Sequence, residues 1–80
     1  MRITIRLLAS YRQFLPQDHK ASAGFTRTVA PATPVCQILA ELPIPADDFY
    51  TFFVNGRHAT HDQILQPGDI LSVFPAAGGG

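Results

Sequence analysis

The chain is poor in the features that most often betray a function. It has one cysteine in 80 residues, equal numbers of basic and acidic side chains, and no apolar run long enough to cross a bilayer. Cys36 alone excludes an internal disulfide framework, a four-cysteine zinc site and a cysteine-ligated iron–sulfur cluster. It is compatible with a reducing, cytoplasmic setting. A formal net charge of zero, with Lys and Arg scattered, leaves no electrostatic footprint for nucleic acid, so neither a nucleic acid nor a membrane partner is expected. The opening residues alternate charge and apolar character (Arg2, Ile3, Thr4, Ile5, Arg6), which no signal peptide does. No Ser/His/Asp arrangement or phosphate-cradling loop is visible. His58 and His61 lack a third ligand, and Asp47-Asp48 sit in a loop where capping is the expected role.

What is present is enough apolar residue, 46%, to build one small globular domain. Ile3, Ile5 and Leu7 alternate with polar neighbours and predict a strand with one wet face. Ser10 is placed to cap a short helical turn over 11–15, ended by Pro16, and Gln17 to Gly24 reads as a polar loop. Phe25 to Ala30 predicts the hairpin partner of the first strand. Thr33 as N-cap and Pro34 at the first helical position open a helix. Its apolar face is Val35, Ile38, Leu39 and Leu42, and Pro43 and Pro45 stop it. Cys36 beside that stripe reads as a small packed residue. Tyr50 to Val54 predicts a strand, Asn55-Gly56 a hairpin turn, and Arg57 to Ala59 the short return. Ile64 and Leu65 are expected to pin a connection to the core. Gln66-Pro67-Gly68-Asp69 suits a type II turn, and Ile70 to Phe74 the last strand, with Pro75 blocking its extension.

The order β-β-α-β-(short β)-β closes most simply with the last strand parallel to the first, at the centre of a mixed sheet covered by the helix. The expected core is Ile3, Ile5, Leu7, Val29, Val35, Ile38, Leu39, Leu42, Phe52, Val54, Leu65, Leu71 and Val73. On the opposite face, Ile70, Ser72 and Phe74 would alternate with Leu71 and Val73, and Phe53 with Phe52 and Val54. That places Phe53 and Phe74 near one another as candidate interface anchors.

The sequence closes on Phe74-Pro75-Ala76-Ala77-Gly78-Gly79-Gly80. Three glycines at a terminus leave no side chain to obstruct the Gly80 carboxylate. Fully extended, Pro75 to Gly80 reaches at most ~20 Å, enough to thread a narrow channel. Fraying or an appended remnant are the plainer readings of the tail alone.

Four segments together resemble the MoaD/ThiS family of ubiquitin-like sulfur carriers. They are Leu8-Ala9-Ser10-Tyr11-Arg12-Gln13-Phe14-Leu15, Val54-Asn55-Gly56, Pro67-Gly68-Asp69-Ile70-Leu71, and the Phe-Pro-Ala-Ala-Gly-Gly-Gly ending. Ala76 stands where many members have a second proline, Gly78 adds a third glycine, and the family's usual acidic excess is missing. The resemblance implies an α+β, β-grasp fold: a domain over 1–75, with four or five strands on one main helix, and a flexible Gly-rich tail over 76–80. It also implies that the protein is not itself an enzyme and binds no cofactor permanently. Instead a separate adenylating, ubiquitin-activating-like enzyme uses ATP on the Gly80 carboxylate, and a sulfur donor converts the adenylate to a thiocarboxylate. Pro75, Ala76, Ala77, Gly78 and Gly79 would be the tail that threads the partner's channel, with Phe74, Phe53, Ile70 and Arg12 on the docking face. The recipient would be the large subunit of a synthase, or a thiazole synthase. The Phe-Pro ending leans toward molybdenum- or tungsten-pterin synthesis, with thiamine next. The rivals are a modifier conjugated to lysines and a binding module with an inert tail.

Overall fold

A computed structural model describes residues 1–15, 24–45 and 48–76. Five strands form one mixed sheet in the order β2-β1-β5-β3-β4. β1 (Arg2–Leu7) pairs antiparallel with β2 (Gly24–Thr28) and parallel with β5 (Ile70–Pro75). β3 (Tyr50–Val54) runs antiparallel to β5 and to the two-residue β4 (Arg57–His58). An α-helix, α1 (Val35–Glu41), lies on one side. Period-2 alternation sends Ile3, Ile5, Leu7, Leu71, Val73, Phe52 and Val54 into one buried cluster with Val35, Ile38, Leu39, Leu42 and Leu65.

Both glycine turns adopt the backbone their residues favour. Asn55 and Gly56 have φ of 54° and 80°, the positive pair that a two-residue type I′ hairpin needs. Gly68 has φ 83°, and the Asp69 amide donates to the Gln66 carbonyl at 3.1 Å, closing the type II turn. Asp69 is buried and locks the two turns together. One carboxylate oxygen accepts from Asn55 Nδ2 at 2.8 Å, and the other from the Gln66 amide at 2.8 Å. Asn55 Oδ1 in turn accepts the Ile70 amide at 2.9 Å.

Several local expectations are corrected. The turn after β1 is a 3-10 helix over Ala9–Phe14 with Leu8 in the cap position and no side-chain cap, so Ser10 lies inside it. The Leu8 amide still reaches the Val73 carbonyl at 2.9 Å, so the turn starts where β1 stops. This turn adds Tyr11 and Leu15 to the core. Gly24 opens β2 rather than closing the preceding loop, most of which falls outside the described residues. Thr33 does not cap α1; its hydroxyl is buried and donates back to the Ala30 carbonyl at 2.6 Å, and Pro34 takes the cap position. Val29 lies past the end of β2 and is half-buried against the core. Ile64 is exposed while Leu65 alone is buried. Cys36 is exposed, because a one-sided helix buries only the Val35, Ile38, Leu39 stripe and the next residue along rotates out. β5 continues through Pro75 instead of ending at Phe74. In this ladder the hydrogen-bonded pairs are the outward residues, as the Asn55 amide to Ile70 carbonyl (2.8 Å) and Ala76 amide to Phe49 carbonyl (3.1 Å) show. The missing N–H of Pro75 therefore points away from β3, toward the side where β1 has already ended, and costs no bond.

Candidate functional site

The face of the sheet turned away from α1 carries two aromatic residues in the body of the ladder. Thr51 pairs with Phe74 and Phe53 with Ser72. Small Ser72 leaves room above the ladder, and the Phe53 and Phe74 rings meet edge to face with centroids 5.4 Å apart at 69°. Both are half-buried. Ile70, one outward step back along β5, is 40% exposed.

Two members of this face escape a reading of the sequence. His58 pairs with Phe53 across the β3–β4 hairpin, and its ring meets Phe53 edge-on at 4.6 Å. His58, Phe53 and Phe74 thus form a continuous aromatic row. The hairpin signal at Asn55-Gly56 already fixed that pairing, so the row was implicit in the turn. His61 contacts Phe52 at 4.9 Å. Since Phe52 and Phe53 point to opposite sides of the sheet, the two histidines are held apart and share no ligand. Among the described residues no group of three His, Cys, Asp or Glu gathers as a metal site.

The second is Phe49, the most exposed of the large apolar side chains described, at 79%. It lies one residue before β3, and alternation from inward Phe52 sets it on the side of Thr51 and Phe53. Its carbonyl accepts the Ala76 amide, so Phe49 stands where the chain leaves β5 for the tail. No period-2 run includes it, which is why pattern alone passes it over. Pro75 and Ala76 are half-buried here, whereas Ala77, Gly78, Gly79 and Gly80 lie outside the described residues.

Arg12 is exposed on the 3-10 helix, whose Tyr11 and Leu15 face the core on the α1 side. The helix, not Arg12 itself, is joined to the sheet through the Leu8–Val73 bond. Tyr11 donates its hydroxyl to Asp48 Oδ2 at 3.1 Å. Desolvation raises the Tyr11 phenol above its ordinary range, and the bond to Asp48 and the charge of that carboxylate add to the shift. Tyr11 therefore ties the 3-10 helix to the segment carrying Phe49.

A cleft of about 520 Å³ is lined by Arg57, Gln63, Ile64 and Gln66 and lies at the Val54–Asn55 end of β3. With β3 rising ~3.3 Å per residue, that is the far end of the strand from the tail root. The chain leaves β5 beside the exposed Phe49 ring, on the aromatic face.

An open mixed sheet on one helix, with a C-terminal strand at its centre, defines the class as β-grasp, ubiquitin-like. The ThiS family model matches residues 5–80, and the chain belongs to that family. Among solved structures it is similar to a protein assigned as molybdopterin converting factor, subunit 1, from Pyrococcus furiosus. The TM-score is 0.75 at 19% identity, over 95% of this chain and 98% of that one. It is equally similar to SAMP1 from Haloferax volcanii, with a TM-score of 0.74 at 20% identity over the full length of both. No curated protein matches the chain significantly.

Proposed function

We propose that this protein is a sulfur carrier whose working group is the Gly80 carboxylate. The observation that carries the reading is the family match, which runs through the Gly78-Gly79-Gly80 segment to residue 80. A carboxylate oxygen of Gly80 attacks the α-phosphorus of ATP on a separate adenylating enzyme, and pyrophosphate leaves. Sulfide from a donor then attacks the acyl carbon, AMP leaves, and loss of the sulfur-bound proton gives the thiocarboxylate. The adenylate must be kept from water, which calls for a closed channel on the partner. Glycines fit such a channel, but each costs ~1–2 kcal/mol of backbone entropy to immobilise. Docking of the folded body offsets that cost, and Phe74, Phe53 and Ile70 are the surface for it. Pro75 and Ala76, fixed in the ladder with Phe49 and Tyr50, set the direction in which the tail departs. The protein supplies no catalytic group of its own; it is the substrate of its activating enzyme, acting in the cytoplasm.

The recipient is a precursor in cofactor synthesis, with the large subunit of a molybdopterin- or tungsten-pterin-type synthase favoured by the Phe74-Pro75 ending and thiazole synthesis next. A second reading is supported by the likeness to SAMP1, a ubiquitin-like small archaeal modifier: the same adenylate would pass to lysines of target proteins. The test is intact mass after incubation with ATP, the adenylating enzyme from the same genome and a sulfur donor, beside a chain lacking Gly80. One oxygen-to-sulfur exchange, absent in the deletion, supports the carrier. An unchanged mass with an enzyme proven active on another carrier rules it out.

A further inference from the structure

The charges of this neutral chain are not shared evenly between the two sides of the sheet. On the outer face the residues that alternate with Ile3, Ile5 and Leu7 are Arg2, Thr4 and Arg6. Arg6 lies in the same cross-strand row as Ser72 and Phe53. Gly24, its partner on β2, makes this possible: a Cβ there would stand 3.1 Å from Arg6 Cγ, so the arginine stem lies across the space the glycine leaves. No described strand residue on this face is acidic. The described carboxylates are all placed elsewhere. Glu41 pairs with Arg27 at 3.1 Å on the α1 side, Asp48 takes the Tyr11 hydroxyl, Asp62 takes the Thr60 hydroxyl, and Asp69 is buried in its turn. The face that carries the tail is therefore cationic and aromatic at once.

We infer that this face docks on an acidic protein surface, with Phe49 and Phe74 seated in an apolar recess at the mouth of the partner's channel and Arg6 opposite a carboxylate on its rim. The inference rests on the carrier reading and specifies the partner's chemistry. Phe49 is the anchor nearest the tail, fixed to Ala76 through its backbone while its ring stands in solvent, and an exposed ring of that size gains most from being covered. Arg6 and Arg2 attract carboxylates and repel basic surfaces, so they set on-rate and partner choice. A second copy of this chain does not fit: it would bring the same arginines and, among the described residues, no outer-face carboxylate.

The experiment is pyrophosphate exchange by the adenylating enzyme of the same genome, with KM for this protein measured from low to high salt. KM of the unmodified chain should rise steeply with salt. Arg6→Gln should raise KM about fivefold at low salt and flatten the salt dependence, while Arg6→Lys retains both. Phe49→Ala should raise KM about tenfold with the salt dependence kept, and kcat should hold in each case. Gln37→Glu, the same one-unit charge change on exposed α1, should leave KM within about twofold. All of these positions are exposed, and unchanged melting confirms that folding is not the cause. A salt-independent KM, or Arg6→Gln and Gln37→Glu behaving alike, overturns the inference while leaving the carrier intact. Dimerisation through this face in sedimentation also overturns it. No exchange with the unmodified chain removes the carrier reading itself.

Discussion

The two faces of this sheet are built from the same strands and do opposite work. On the α1 side, Ile3, Ile5, Leu71 and Val73 are almost completely buried, and β1, the 3-10 helix, α1, β3 and β5 all contribute to one cluster. On the other side, Phe53, Phe74 and Ile70 alternate with them residue for residue yet stay half-buried or exposed, rimmed by Arg2, Arg6 and His58. A single period-2 pattern therefore divides the chain into a side that holds the fold and a side free to meet a partner. Stability and function should then respond to different residues one position apart.

The largest effect should come from the inner side. Ile5→Ala, at a site with no exposure in the sheet's central pair, should cost about 2–5 kcal/mol in chemical denaturation, enough to unfold much of so small a domain. Asp69→Ala comes next. It strips partners from Asn55 Nδ2 and the Gln66 amide and should cost about 1–3 kcal/mol by the same measurement. Phe74→Ala should invert the pattern: about 1 kcal/mol of stability, from the lost ring contact with Phe53, but about a tenfold or greater rise in KM for adenylation. If Phe74→Ala instead destabilised as much as Ile5→Ala with adenylation unaffected, the division between the faces would fail.

The smallest effect is pH-dependent and belongs to the inner side. The Tyr11 phenol is raised in the folded state, so folded protein holds that proton more tightly than the unfolded chain. Its contribution is complete below the unfolded phenol value of about 10 and is lost as pH climbs from there through the higher folded value. Denaturation followed from pH 8 to 11 should show stability falling for the unmodified chain, and Tyr11→Phe should remove that part of the slope.

How much of this was legible in the sequence follows from how local each cause is. The strands, the Asn55-Gly56 and Pro67-Gly68 turns and nearly all the core were readable, because alternation and turn chemistry act over a few residues. Tyr11 and Leu15 are not readable as core residues, since so short a 3-10 helix offers too few turns to define an apolar face and its burial is decided by where β1 delivers it. Thr33 was misread because a hydroxyl can serve the turn behind it as readily as the helix ahead. Cys36 was misplaced because a seven-residue helix covered on one side buries a narrower stripe than its apolar neighbours imply. At the site, Phe53 and Phe74 follow from alternation and His58 is implicit in the Asn55-Gly56 hairpin, while Phe49 depends on a pairing between distant segments.

The most direct test of the account is to fragment the C-terminal peptide of the protein after turnover with ATP, its adenylating enzyme and a sulfur donor. A sulfur carrier should show sulfur in place of one oxygen on the Gly80 carboxyl group and nowhere else in the chain. Gly80 found instead in amide linkage to a lysine of another protein, or carrying no change after proven adenylation, would contradict it.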